Sequence, residues 1–285
     1  MAERRRVVDS HVHFWDPAVL HYPWVEGVPA LRRAFLPRDL DSLSARTVDG
    51  VVFVEANAQA CENADEVEWV ERLRGTERRI IGIVAYVDML DERERSGALD
   101  AMSTRALVVG VRHNIQGHAE GYCLQPAFVD GVKATATHGL TFDLCVTEEQ
   151  LPDALRLVQQ CPDTQFVLDH CGKPAIRANA MHEWATNVAA LATCANVVCK
   201  VSGLLTEAND TQRTLDVLRP YLDHVLGCFG AGRLLYGSDW PVLTLAGGTA
   251  SWRGIVDEFT AAWADEDRDG FYAGNAVRTY GLEIS

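Results

Sequence analysis

The residues best suited to chemistry begin close to the N-terminus. VVDSHVHFWDP, residues 7–17, sets His11 and His13 two apart, flanked by Asp9 and Asp16. Side chains at i and i+2 of a strand share a face, so the two imidazoles converge on one spot. Imidazole is both a common metal ligand and an acid–base group. Polar groups close other apolar runs in the same way: Glu55 beside Asn57, Arg112 and His113, Lys200 and Ser202, Asp169, His170 and Lys173 in LDHCGKP, Ser238 and Asp239 in YGSDWP. Burying charge without a partner is costly, so packing alone is a poor reason for charges to gather at strand ends. Each has a plainer reading. An isolated His-x-His is often incidental, and Arg112 could simply brace the fold. His113 alternates in direction with Arg112, so the two should not enter one pocket. His21, His118, His138, His182 and His224 read as surface or helix-end residues, with His21 in a candidate lid. GCFGAG (227–232) precedes a strand and reads as a turn. There is no Walker sequence, no GxSxG elbow and no HExxH.

The elements that must position these groups follow from patterning. Eight short, nearly continuous apolar runs read as strands: 7–14, 50–56, 79–87, 107–114, 140–146, 165–170, 197–203 and 233–239. Continuous apolar runs suit parallel strands covered on both faces. Helical patterns lie between them. NADEVEWVERLRG begins with a capping Asn and spaces Val67, Val70 and Leu73 along one face. TEEQLPDALRLVQQC follows the fifth strand. TQRTLDVLRPYLDHVLG precedes the eighth and should kink or split at Pro220. Eight strands alternating with helices predict an α/β protein folded as a single (β/α)₈ TIM barrel, one domain over residues 1–285. Residues 15–49, rich in aromatics and proline, and residues 115–138 read as long loops. Both follow strands and so belong on the C-terminal face, where this fold carries its active site.

Composition removes several function classes. The 285 residues are 48% hydrophobic and 23% charged, as in ordinary globular proteins. A formal charge of -14, from 26 basic and 40 acidic residues, argues against nucleic acid and against an anionic membrane surface. No apolar run approaches a membrane span. MAERRRVVDS has arginines without an apolar stretch after them, which reads as a cytoplasmic start. The eight cysteines form no CxxC pair and read as reduced, mostly buried thiols.

HxH on strand 1, GVRH on strand 4, FVLDHCGKP on strand 6, LLYGSDWPV on strand 8 and the terminal GNAVRTYGL together resemble the amidohydrolase superfamily. Within it the chain is most similar to the amidohydrolase 2 group, in the branch of sugar-lactone and pyrone-dicarboxylate lactonases. The resemblance covers essentially the whole chain, in order. It implies a metal site of His11, His13, His170 and Asp239. The superfamily's strand 5 histidine is absent from LTFDLCV, and strand 4 has no bridging lysine or glutamate. A binuclear centre is therefore not expected: the choice is one divalent cation, zinc first, or catalysis without metal. Three imidazoles and a carboxylate complete a tetrahedral zinc shell.

The expected reaction is hydrolysis of a lactone in carbohydrate catabolism. Asp239 is the general base on water, its pKa raised by partial burial beside the imidazoles. His11, His13 and His170 hold zinc or donate hydrogen bonds to the carbonyl. Lys173 and Arg112 take substrate oxygens, and Trp24, Tyr22 and Trp240 stack on a sugar or close the pocket. The first substrate expected is a sugar aldono-1,4-lactone of the L-fucono- or L-rhamnono- type. A 2-pyrone-4,6-dicarboxylate lactonase and a metal-dependent decarboxylase of an aromatic acid are the alternatives. A small-molecule lactone is the expected partner, with a homodimer allowed.

Overall fold

The computed structural model describes residues 4–43 and 48–284; residues 44–47 of the expected first loop lie outside it. Eight parallel strands run in chain order: β1 Val8–Val12, β2 Gly50–Val54, β3 Ile80–Tyr86, β4 Val108–Arg112, β5 Thr141–Leu144, β6 Phe166–Leu168, β7 Val197–Val201 and β8 Leu234–Tyr236. The ring closes between its first and last members just past β8. The Asp239 N–H donates to the His11 carbonyl at 2.9 Å, and the His13 N–H to the Trp240 carbonyl at 2.7 Å. The fold is a (β/α)₈ barrel.

Most strands return through a helix packed outside the ring. The α-helices are α1 Pro37–Leu43, α2 Asn63–Arg74, α3 Arg95–Ser103, α4 Pro126–Thr137, α5 Leu151–Gln160, α6 His182–Ala192, α7 Leu204–Glu207, α8 Leu215–Phe229, α9 Thr249–Phe259, α10 Asp265–Asp269 and α11 Asn275–Tyr280. Four expectations change. The loop expected over residues 15–49 contains α1. Asn63 is the first residue inside α2 and its side chain does not cap it. Residues 115–138 are not a long loop, because Pro126 opens α4, whose Phe128, Val129 and Val132 are buried. Proline at a first helical position sacrifices an N–H that has no partner there anyway. Nor does Pro220 split its helix: α8 runs continuously through it. Leu218, Tyr221, Leu222 and Val225 are buried on its core face, and that burial offsets the hydrogen bond proline cannot make.

The barrel interior is layered. Val8, Val52, Val54, Val84, Val167, Val198 and Leu235 form one apolar cluster, closed at its base by Tyr280 and Leu282 near the C-terminus. Each such side chain contributes about 1.5–3 kcal/mol by burial. The two-residue period of β6 and β7 then carries Asp169 above Val167, and Lys200 above Val198. β1 departs from that period. Val8 faces the interior cluster, yet Val12 belongs to the outer core between sheet and helices. In a regular strand residues four apart share a face. A register shift between Asp9 and Val12 resolves the conflict. It re-aims the strand so that His11, not its neighbours, enters the barrel.

Glu66 of α2 is buried against the end of β2, where the Ala56 N–H donates to its two oxygens at 3.2 and 3.4 Å. Burial, reinforced by Glu55, raises its pKa from 4.5 to about 8. The folded protein therefore keeps this proton to higher pH than the unfolded chain. The resulting stability is fully present below about pH 4.5 and is lost as pH rises through about 8. Glu66→Gln mimics the protonated form at every pH. Its melting temperature should match the parent near pH 5 and exceed it near pH 9 by ~2 °C or more. Parallel melting curves for the two proteins at both pH values would discard this account if their difference did not change.

Candidate active site

At the C-terminal end of the strands, four side chains meet from three directions. His11 and His13 come from β1, His170 follows β6 and Asp239 follows β8. His11 Nε2 lies 3.1 Å from His13 Nε2. Asp239 Oδ1 lies 3.8 Å from His11 Nε2, 3.4 Å from His13 Nε2 and 4.0 Å from His170 Nε2. All four residues are buried.

Each ring is held from behind. The His13 Nδ1–H donates to the Val54 carbonyl at 2.8 Å, which turns Nε2 toward the other three residues. His170 Nδ1 meets the Ser202 hydroxyl at 2.9 Å. The backbone of Gly203 presses on the same ring: a Cβ there would stand 2.7 Å from His170 Cγ and Nδ1, and its φ of +69° suits glycine. His170 and Asp239 themselves have left-handed backbones, with φ of 53° and 63°. Residues other than glycine accept that conformation where surrounding contacts fix it, as the contacts behind these two do.

Beneath His11 lies a closed set of ions. Lys200 Nζ stands 2.5 Å from Asp143 Oδ2, 3.1 Å from Asp169 Oδ1 and 3.2 Å from His11 Nδ1. Asp169 Oδ1 is 3.2 Å from the same His11 nitrogen. Arg112 donates to Glu55 at 2.6 Å and to Asp169 at 3.2 Å. From the base of the barrel the Tyr280 hydroxyl reaches Asp143 at 3.0 Å. Every member of this set is at most 5% exposed.

The electrostatics follow from burial and these neighbours. Burial pushes the His11 pKa well below its usual value, with Lys200 adding to the push and Asp169 opposing it. Burial takes His170 down to about 4. Both imidazoles are neutral at working pH. Burial would raise Asp239, but His170, His13 and His11 outweigh it and hold the carboxyl below its usual range. The expected rise in its pKa is therefore reversed, because as pH falls His170 takes up its proton first and the charge it gains opposes protonation of the carboxyl. Asp169 is likewise kept ionised, as Lys200, His11 and Arg112 overcome its burial.

The donor set fits a divalent cation. The ligand atoms of His11, His170 and Asp239 lie within 4.8 Å of one another, with His13 Nε2 closer still to two of them. A tetrahedral shell with bonds of about 2.0–2.1 Å spaces its ligand atoms by roughly 3.4 Å. Imidazoles with Nε2 turned inward, each braced through Nδ1, are what such an ion needs.

Other expected site residues fall elsewhere. Arg112 is 3% exposed with its donors committed to Glu55 and Asp169, so it forms the floor and is not free for substrate. Trp240 is fully buried, edge-on to Phe14 and Phe35. Tyr22 is 1% exposed, its hydroxyl approaching Glu66 without completing a well-aligned hydrogen bond. Neither ring offers an open face, because the aromatic first loop builds its own core. Trp24 is half-buried, packs edge-on to Trp15 and donates to the Ala56 carbonyl at 2.7 Å. Lys173 is half-buried beyond His170 and donates to Gln116. His113 faces away, accepting from the Met89 N–H. Asp143 and Tyr280 did not stand out as site residues. The signal for Asp143 was present: LTFDLCV and VVCKVSG each carry one charge, of opposite sign, in an apolar strand, and such charges seek each other. All eight cysteines are free thiols.

A family model described as Amidohydrolase matches residues 8–282. The chain belongs to this family. It is 32% identical to an L-fucono-1,5-lactonase of Burkholderia multivorans, over 96% of each chain. It is 30% identical to an L-fucono-1,5-lactonase of Burkholderia ambifaria, over 97% of this chain and 96% of that one. A crystal structure of an amidohydrolase from Burkholderia multivorans with bound zinc superposes with a TM-score of 0.86 at 31% identity, covering 98% of this chain and all of the other. This amidohydrolase is a hydrolytic enzyme.

Lys200→Met should destabilise the amidohydrolase by about 3–5 kcal/mol, since it strands Asp143 and Asp169 without their cation. Adding Asp143→Asn should recover a large part of that loss. Urea denaturation of both variants measures the coupling, and strictly additive losses would mean that the two groups do not act as a pair.

Proposed function

We propose that this amidohydrolase opens the ring of a sugar aldono-lactone by adding water. The observation that carries the reading is the Asp239 carboxyl facing three imidazoles at the C-terminal end of the strands. The substrate class is supported by the L-fucono-1,5-lactonases that match over nearly the full chain. Their ring is six-membered, whereas the motifs alone pointed to a 1,4-lactone, so the reading takes an L-fucono-type lactone of either ring size. The chain is taken as one domain, supported by a single eight-stranded sheet. With no helix among the described residues long and apolar enough to cross a membrane, the reading places the reaction away from the bilayer interior.

Hydrolysis needs a water made nucleophilic, a polarised carbonyl and a proton for the departing ring oxygen. Asp239 accepts a proton from water as its oxygen bonds to the carbonyl carbon. The tetrahedral oxyanion collapses, the ring C–O bond breaks, and Asp239 returns the proton to the ring oxygen. A cation held by His11, His13, His170 and Asp239, zinc in this reading, would polarise the carbonyl and acidify the water. Ser202, Gly203 and the Val54 carbonyl keep the imidazoles aimed without reorganisation during the reaction. Lys173, beside His170, orients substrate oxygens. The committed guanidinium of Arg112 leaves no fork for a second carboxylate, which weighs against a dicarboxylate substrate.

A pH-indicator assay of the purified protein against L-fucono-1,4- and 1,5-lactones, other aldonolactones and a pyrone dicarboxylate tests the reading, with bound metal quantified in the same sample. Acid release from a sugar lactone is expected, and silence across all sugar lactones would reject it. Asp239→Asn should lower kcat by about 10²-fold or more while circular dichroism stays unchanged. Full turnover in that variant would remove Asp239 as the base. Lys173→Ala should act chiefly on KM.

A further inference from the structure

The turn after β7 begins at the site. Ser202 holds His170, Gly203 packs on its ring, and the one-turn helix α7 ends at Glu207. This turn is braced along its length. Leu204 and Leu205 are fully buried. The Thr206 hydroxyl donates to the Gly203 carbonyl at 2.6 Å, Arg177 to the Thr206 carbonyl at 3.2 Å and Arg213 to the Leu205 carbonyl at 3.1 Å. The backbone on either side of Glu207 is thus fixed.

Glu207 itself is half-buried, yet it takes part in no hydrogen bond and no ion pair among the described residues. Burial raises its pKa, and the charges that act on it are those of Lys173, Arg177, Asp239 and Glu148. The one-turn helix that ends at Glu207 packs against Val242–Ala246, which follow Asp239, and against Ile176–Ala178, which follow Lys173, so it lies between the β8 and β6 sides of the site. Lys173 is tethered to Gln116 of the loop after β4, and it makes no ion pair with Glu207. A carboxylate and an ammonium that act on each other without pairing can both be met by one ligand group. A hydroxyl serves well, because it donates to one and accepts from the other. A carboxylate does not: it has nothing to donate, and Glu207 and Asp239 both repel it.

We propose that Glu207 is a specificity-determining residue that, opposite Lys173, binds a hydroxyl of a neutral polyhydroxylated substrate and disfavours anionic ones. The reaction arm rests on the lactonase reading; the binding arm does not.

The test compares Glu207→Ala and Glu207→Gln with the parent on two lactones, a hydroxylated six-carbon aldono-lactone and the bare ring δ-valerolactone. A hydrogen bond to a charged group is worth about 1.5–3 kcal/mol, so kcat/KM of the Ala variant should fall about tenfold or more on the hydroxylated ring. It should change less than about threefold on the bare one, with Gln in between. Equal loss on both rings would make the role structural, and no loss on the hydroxylated ring would remove Glu207 from the substrate; either overturns the inference. Calorimetric binding of a neutral six-carbon alditol supplies the second arm. If the parent opens no lactone but binds the alditol in a Glu207-dependent way, the lactonase reading fails and this inference stands. Equal alditol binding with and without Glu207 overturns it, and a parent that neither binds the alditol nor opens a lactone overturns both.

Discussion

Everything at the top of this barrel rests on the ammonium of Lys200. It is wholly buried between Asp143, Asp169 and His11. Without it two carboxylates would face each other in a dehydrated interior, where unpaired charge costs several kcal/mol. With it, Asp169 can sit ionised beneath His11 while still engaging Arg112. The ionic floor therefore does two things at once: it makes a charged layer tolerable inside the sheet, and it fixes the orientation of a ring whose other nitrogen faces the candidate site.

Above that floor the aiming is done by backbone. The irregularity in β1 turns His11 inward, and left-handed residues at His170 and Asp239 lift their side chains over the strand ends. The hydrogen bonds that close the ring, from Asp239 to His11 and from His13 to Trp240, are the same contacts that bring β1 and β8 chemistry together. Barrel closure therefore also joins His11 and His13 to Asp239, while His170 is brought in separately at the end of β6.

Surrounding residues divide by how much freedom they keep. Arg112, Tyr22 and Trp240 spend their polar or aromatic faces on the protein itself. Lys173 and Glu207 are half-buried on the turns after β6 and β7. Lys173 gives one bond to Gln116 and Glu207 takes none among the described residues, so in the proposed reading these are the groups that can exchange partners with a substrate.

The repeating apolar runs, their continuous rather than alternating character and the helical patterns between them were enough to read the barrel. The His-x-His pair and the LDHCGKP and YGSDWP ends located the cluster, because local spacing and strand polarity place such residues at one end of a parallel sheet. Tertiary structure decided what each group is free to do. Whether Arg112 grips substrate or Asp169, whether Trp240 stacks on a ring or on Phe14, and whether Asp239 has a raised or lowered pKa all depend on neighbours distant in sequence. Such pairings cannot be read from the sequence around each residue. Asp143 and Lys200, 57 residues apart, become partners only when the sheet curls and its interior excludes water.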